Sequence, residues 1–262
     1  MVRKMDNNLK TWDNTRSALH KVAEVLGAVR RVFAQPEPNW VHLGIEIDGQ
    51  TMATGKLPMG EFVFRSDDLV FAFSGDETHR EIPVAGKTQQ ELVRFVEAVL
   101  QRAGHAVKLD ESKLHGEDVI NITAEEAHEF LSTMRFARQV LARLHADLDG
   151  YKTRLVLWPH GFDLAFLWFE DESASDEAKD QHIGIGFSPG SPGLAAPYFY
   201  LYLWPMPEGL SGTSLPAPAR WHSDGWTGVV IDLASVGEDH GRDTRVLAAL
   251  KGAFETLIAG IS

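Results

Sequence analysis

The chain has 262 residues, of which 44% are hydrophobic, so it is long enough to bury one large core or two modest ones. Its net charge of −12 argues against nucleic acid as a partner, because phosphate binding requires clustered Lys and Arg. The chain has no cysteine and no apolar run near the roughly 18 residues of a membrane span, and we expect no secretory signal because no apolar core follows the first basic residues. Disulfides, thiolate metal sites and a membrane partner are therefore excluded, and we expect a cytoplasmic protein.

The first part of the chain predicts one helix followed by short strands. Apolar residues recur at helical spacing across residues 11 to 34, and Pro36 ends that pattern. Turn signals such as Asp48-Gly49 then separate short runs that are typical of antiparallel strands. These runs cover residues 41 to 47, 61 to 65, 69 to 74 and 79 to 84.

Two capping boxes indicate further helices. Thr88 with Glu91 opens one helix, and Thr123 with Glu126 opens a longer one, because each pair satisfies free backbone N–H groups at a helix start. Residues 105 to 122, between the two helices, are polar and lack periodicity. We expect this segment to be a connector.

The second part of the chain repeats the order of helix, strands and helix. Strand-like runs cover residues 153 to 158, 162 to 169, 182 to 187, 197 to 204 and 227 to 232, and helical spacing returns at 243 to 260. The predicted fold class is α+β, with a largely antiparallel sheet covered by helices. Two organisations remain open: two similar helix-strands-helix units at 1–110 and 111–262, related by internal duplication, or one continuous domain.

The run from Tyr198 to Trp204 has the most informative pattern in the chain. Successive side chains of a strand point to opposite faces, so Phe199, Leu201 and Leu203 form one wholly apolar face. The other face is aromatic with polar tips, and it consists of Tyr198, Tyr200, Tyr202 and Trp204. Such residues combine apolar area with hydrogen-bonding groups, as ligand pockets require. We expect them to line a cleft together with Trp158, Trp221 and Trp226.

The preceding strand carries glycines on one face. Gly184 and Gly186 share that face with His182 and Ser188, and glycine in a strand marks the close approach of another group. That group is either a ligand or a tyrosine of a neighbouring strand, and the second interpretation is favoured. Ser188 lies in GFSPG, which lacks the G-x-S-x-G pattern of a nucleophile, so a turn is favoured over a catalytic role. We expect Ser188 among the residues that line the ligand site.

Two His/Asp pairs are the candidate catalytic groups. His160 with Asp163 and His222 with Asp224 have the chemistry of general acids and bases, although turn formation explains the same residues. Neither spacing is a metal motif, and no nucleotide-binding motif occurs, so no metal and no cofactor are predicted. His42, on the strand predicted at 41 to 47, either completes the ligand site or lies at the surface.

Five segments resemble a known sequence family. They occur in the order ALHKV (18 to 22), NWVHLGIEI (39 to 47), FDLA (162 to 165), GFSPG (186 to 190) and PYFYLYLWP (197 to 205). The set is similar to an uncharacterised bacterial family of unknown function, and the resemblance implies no activity. Similar members carry an aromatic residue inside GF-x-PG and an acidic residue a few positions before it. Here these places hold Ser188 and the pair Gln181 and His182.

Three function classes follow from these patterns, and whether the protein is an enzyme remains open. The leading hypothesis is a protein that binds a small, partly apolar ligand in the aromatic cleft. The first alternative is a hydrolase or isomerase that uses the His/Asp pairs for acid-base catalysis. The second is a protein-interaction module, because binding hot spots favour Tyr and Trp. No pattern in the sequence indicates the oligomeric state.

Overall fold

The computed structural model describes residues 2–75, 78–110, 112, 114, 116–237 and 239–261. The chain divides into two compact units. Unit 1 contains Met1–Arg135 and Val156–Phe162, and unit 2 contains Phe136–Leu155 and Asp163–Ser262. The organisation into 1–110 and 111–262 was based on the order of elements and stays a prediction, as does internal duplication.

The described ranges contain four α-helices, two of which begin at predicted capping boxes. They are α1 (Val2–Phe33), α2 (Gln89–Arg102), α3 (Ala124–Asp147) and α4 (Arg242–Ile258). Both predicted capping boxes form. The hydroxyl of Thr88 accepts the N–H of Glu91 at 3.2 Å, and the Glu91 carboxylate accepts the N–H of Thr88 at 2.9 Å. The Thr123 and Glu126 contacts are equivalent, at 3.2 and 2.8 Å.

Unit 1 contains a five-stranded antiparallel sheet in chain order. Its strands are β1 (Glu46–Asp48), β2 (Thr51–Ala53), β3 (Glu61–Arg65), β4 (Val70–Ser74) and β5 (His79–Pro83). Phe62 pairs with Phe73, and Phe64 pairs with Phe71. The four rings are at most 1% exposed and form the phenylalanine cluster of unit 1.

The prediction of a strand at 41 to 47 is wrong for its first residues. Pro38–Leu43 forms a 3-10 turn in which Asn39 and Trp40 have φ angles of 53° and 56°. Arg30 of α1 fixes the turn, since its Nε donates to the His42 carbonyl at 2.8 Å. Apolar alternation over a short run does not separate a strand from a turn held by long-range contacts.

β7 (Val156–Trp158) also belongs to unit 1. Ile45 and Leu157 exchange two backbone hydrogen bonds, of 2.8 and 3.0 Å, in an antiparallel bridge. Leu157 thus pairs with a residue more than 100 positions earlier, an arrangement that local sequence patterns do not predict.

Unit 2 contains an antiparallel sheet in the order β11-β12-β10-β9-β8-β6. These strands are β6 (Tyr151–Lys152), β8 (Asp163–Phe169), β9 (His182–Ser188), β10 (Tyr198–Trp204), β11 (Arg220–His222) and β12 (Gly228–Asp232). Helix α4 covers the apolar face, where the rings of Trp168 and Phe254 meet edge to face at 5.1 Å. Leu201 of β10 lies on this face and is fully buried.

The fold class is α+β with antiparallel sheets, as predicted. Within the described ranges, no helix combines the length and the apolar character needed to cross a bilayer. The cytoplasmic location stays a prediction.

Candidate functional site

The aromatic face of β10 lies against the glycine-bearing face of β9. Tyr200 is opposite Gly186, and Tyr202 is opposite Gly184. A Cβ atom at Gly184 would lie 2.2 Å from the Tyr202 ring, and one at Gly186 would lie 2.5 Å from the Tyr200 ring. The tyrosine rings therefore occupy the space above the glycines, and a side chain larger than hydrogen would displace them.

Exposure increases along this face from Tyr198 to Trp204. Tyr198 is 4% exposed, Tyr200 and Tyr202 are half-buried, and Trp204 is 41% exposed. The rings of Tyr200 and Tyr202 are nearly parallel, with centroids 6.4 Å apart. The face is thus buried at Tyr198 and exposed to solvent at Trp204.

Asp163, the first residue of β8, accepts a hydrogen bond from the hydroxyl of Tyr200. Burial raises the pKa of Tyr200 well above its usual value, and the negative charge of Asp163 adds to this effect. Tyr200 therefore stays a neutral donor, and its ring is fixed both at the base, by Gly186, and at the tip, by Asp163.

Tyr202 carries a hydroxyl that makes no hydrogen bond within the described ranges. Burial raises its pKa to about 12, and the charges of Glu177 and Asp163 contribute in the same direction. A half-buried neutral phenol of this kind can donate one hydrogen bond to a ligand and accept another.

His182 and Trp204 complete the open end. His182 is buried, and its ring stacks on Trp204 with centroids 5.4 Å apart and meets Tyr202 edge to face at 6.0 Å. Its Nδ1 atom lies 2.9 Å from the Asp180 carbonyl oxygen. Burial raises the pKa of Glu177, whereas the neighbouring His182 acts in the opposite direction. We call Tyr202, His182 and Trp204 the open end of the aromatic face.

Trp226 extends the aromatic face beside Tyr200. Its ring covers Gly228, where a Cβ atom would lie 2.4 Å from the indole, and it meets Tyr200 edge to face at 6.1 Å. The His222 ring lies 4.8 Å from Trp226, and its Nε2 atom is 2.8 Å from the backbone carbonyl oxygen of exposed Asp224. This contact orients the imidazole through the backbone of Asp224.

A sequence model described as a family of unknown function, DUF5996, matches residues 6–259. The chain belongs to this family. The resemblance to an uncharacterised family that the sequence segments indicated is therefore confirmed. No curated protein and no solved structure matches the chain.

Two candidate residues of this DUF5996 chain lie away from the open end. Trp221 pairs with Val229, so it is on the apolar side of the sheet, and its indole N–H donates to the Thr213 carbonyl at 2.7 Å. Ser188 is buried, and its hydroxyl accepts the N–H of Gly190 at 3.2 Å, a contact that closes a turn.

The remaining candidates belong to unit 1 of this DUF5996 chain. The rings of half-buried Trp158 and exposed His160 are 5.9 Å apart. His42 is only 7% exposed, so its interpretation as a surface histidine is wrong. Its Nδ1 atom accepts the N–H of Glu37 at 3.1 Å, which fixes the 3-10 turn.

Sequence reasoning missed Glu177 and did not place His182 among the candidates. The acidic run from 170 to 180 gave no signal for one particular carboxylate, whereas His182 shared a strand face with the two glycines. The described ranges contain no group of three His, Asp or Glu residues arranged to hold a metal ion.

Proposed function

We propose that the protein binds a small, partly apolar molecule at the open end of the aromatic face of unit 2. The observation that carries the proposal is the half-buried hydroxyl of Tyr202, which has no hydrogen-bond partner in the described ranges, on the same strand face as exposed Trp204. A ligand there meets an apolar ring and a directional polar group together, the combination that small-molecule sites use.

The energetics favour a ligand of mixed character. Covering about 100 Å² of apolar surface contributes about 2.5 kcal/mol, and one neutral hydrogen bond adds about 1 kcal/mol. Rigid rings reduce the entropic cost of binding, since Tyr202 is fixed against Gly184 and Tyr200 is fixed against Gly186 and Asp163.

Indole titration followed by saturation-transfer NMR tests the proposal. Indole is a neutral apolar ring with one N–H donor, and the oxygen of Tyr202 is an available acceptor. We expect Trp204→Ala to abolish the indole signal and Tyr202→Phe to weaken binding by roughly fivefold, the value of about one hydrogen bond. Tyr198→Phe is the matched control, because its hydroxyl already bonds Ser191 at 2.8 Å. Equal indole binding by all four proteins would contradict the proposal.

The acid-base hypothesis has less support from the geometry of unit 2. The His222 ring nitrogen bonds a backbone carbonyl oxygen of Asp224, so this imidazole and carboxylate do not form the direct pair that general-base catalysis uses. The roles of His160, Asp163, His222 and Asp224 in a hydrolase or isomerase stay predictions. A protein partner that covers Trp204 is the other alternative, and capture of such a partner at Trp204 would favour it over a small ligand.

A further inference from the structure

We propose that the ligand is an aromatic ring with a hydroxyl group, a phenol, whose proton is accepted by Nε2 of His182 and whose oxygen accepts the hydroxyl proton of Tyr202. This inference rests on the proposed function and specifies its ligand class.

The backbone fixes the tautomer of His182. Its Nδ1 atom lies 2.9 Å from the carbonyl oxygen of Asp180, and a carbonyl oxygen only accepts hydrogen bonds, so Nδ1 carries the proton. In the neutral imidazole the other ring nitrogen, Nε2, then has a lone pair to offer. His182 therefore contributes a hydrogen-bond acceptor to the open end.

This acceptor is available to a ligand. Nε2 of His182 makes no hydrogen bond within the described ranges. Among the described residues, the fully buried side-chain nitrogen and oxygen atoms without a partner are Gln89 Oε1 and Arg242 Nε. Nε2 of His182 and Oη of Tyr202 are not among them, so both atoms retain contact with solvent. A ligand that arrives from solvent can thus reach both.

Neighbouring rings hold the imidazole in place. His182 is opposite Trp204 in the register of β9 and β10, and the two rings stack at an angle of 24°. The Phe169 ring lies 5.5 Å from the imidazole on β8. Nε2 is on the part of the ring farthest from Cβ, as the hydroxyl is in Tyr202. Since His182 and Tyr202 share a face of the sheet, their two polar atoms project on the same side.

A hydroxyl group of the ligand matches this pair of atoms. Tyr202 has a proton to donate and His182 has a lone pair, and a hydroxyl group accepts one hydrogen bond through its oxygen and donates another. An ether offers only the acceptor, and a hydrocarbon offers neither. Each neutral hydrogen bond corresponds to about fivefold in affinity after exchange with water. The ring of the ligand packs on Trp204, which is 41% exposed.

Phenol, anisole and toluene test the inference, because they share a phenyl ring and all three are neutral at pH 8.0. NMR chemical-shift titration of the full chain at this pH gives their dissociation constants. We expect phenol to bind about threefold or more tightly than anisole, and anisole to bind more tightly than toluene. Burial alone predicts the reverse order, since the methyl groups of anisole and toluene add apolar surface.

Two variants separate the acceptor from the donor. His182→Phe keeps a ring against Trp204 and removes Nε2, so it should lower the affinity for phenol relative to anisole about fivefold. Tyr202→Phe removes the donor, so it should lower the affinity for anisole relative to toluene about fivefold and keep the preference for phenol over anisole. His240→Phe is the matched control, because His240 is exposed and lies next to α4, which covers the opposite face. It should change neither ratio.

Long-range proton–nitrogen NMR of the ligand-free protein tests the tautomer without any substitution. We expect Nδ1 of His182 to be protonated and Nε2 to be unprotonated at pH 8.0. A protonated Nε2 would overturn the inference, because the site would then lack the acceptor.

The possible failures separate this inference from the proposed function. If phenol has no preference over anisole, or if His182→Phe and His240→Phe change that preference equally, the inference is overturned. Where Trp204→Ala still abolishes the binding of all three probes, the aromatic site itself stands. If none of the probes binds at about 5 mM, the inference is overturned as well, and the indole titration decides the proposed function separately.

Discussion

The phenylalanine cluster of unit 1 and the aromatic face of unit 2 are both built by alternating side chains on antiparallel strands, yet their rings differ in burial. Phe62 and Phe73 pack on each other at 4.8 Å and are almost completely buried. In unit 2 the rings pack on glycines instead, and exposure rises to 41% at Trp204.

The hydroxyl groups account for the part of this difference that concerns Tyr200 and Tyr202. A phenylalanine ring gains only from burial, whereas a tyrosine can remain half-buried because its polar tip is solvated or hydrogen-bonded. Tyr200 uses its tip to contact Asp163, and Tyr202 presents its tip at the open end. Burial therefore makes Phe62 and its partners part of the core, whereas the proposed ligand site uses the open end of the face in unit 2.

Truncation within the phenylalanine cluster should have the largest effect. We expect Phe62→Ala to lower the free energy of unfolding by about 3 to 5 kcal/mol, because it leaves a cavity in a closed core. Tyr202→Ala should cost less, since the ring is half-buried. Urea unfolding followed by circular dichroism measures both, and a larger loss for Tyr202→Ala would reverse the comparison.

Adding a methyl group beneath each tyrosine should have the next largest effect. Gly186→Ala places Cβ 2.5 Å from Tyr200 and 2.6 Å from the Leu164 backbone oxygen, whereas the three atoms nearest to a Cβ at Gly184 all belong to the Tyr202 side chain. We expect each substitution to cost about 1 to 3 kcal/mol.

Double-mutant cycles separate these two glycines. The cost of Gly184→Ala should largely disappear in a Tyr202→Ala background, because the clashing ring is gone. The cost of Gly186→Ala should persist in a Tyr200→Ala background, since the backbone oxygen cannot move away. Identical behaviour of the two cycles would contradict the packing described for this face.

Removal of single hydroxyl groups should distinguish the two central tyrosines. Tyr200→Phe should cost about 1 to 3 kcal/mol, because Asp163 loses a donor. Tyr202→Phe should change stability by less than about 0.5 kcal/mol, since its hydroxyl bonds no residue in the described ranges. Thermal unfolding of both variants gives the comparison, and equal costs would indicate that Tyr202 has an internal partner.

The ionisation of Tyr202 should have the smallest effect on stability near neutral pH, because it takes place only at alkaline pH. The folded pKa of Tyr202, about 12, lies above the ordinary value of about 10, so its contribution to stability is fully present below about pH 10. That contribution is lost as the pH rises through 12. Tyrosinate absorbance in native and denatured protein should show the delayed ionisation. Tyr202→Phe should remove one of the ionisation steps that the native protein shows at high pH. Ionisation of Tyr202 near pH 10 would show that the hydroxyl is solvated like a free tyrosine.

The sequence was sufficient to predict features that depend on residues close together in the chain. The alternation from Tyr198 to Trp204 predicted the two faces of β10, and Thr88 and Thr123 with their glutamates predicted two helix starts. These signals reside within one strand or one helical turn.

These local signals could not predict features that depend on pairing between residues far apart in the chain. The turn at Trp40 and the burial of His42 depend on Arg30, and the position of β7 depends on Ile45. The sequence left open whether a ligand or a tyrosine occupies the space above Gly184, because that requires the register of β9 against β10.

Fluorine NMR of 5-fluorotryptophan-labelled protein tests the central claim most directly, because it reports each of the seven tryptophans separately. Single Trp→Phe variants assign the signals, and indole is then added to the labelled protein. We predict that the Trp204 and Trp226 signals shift with a common saturation curve, while Trp40 of unit 1, which is 63% exposed, does not respond. A response at Trp40 without one at Trp204 and Trp226 would contradict ligand binding at the aromatic face.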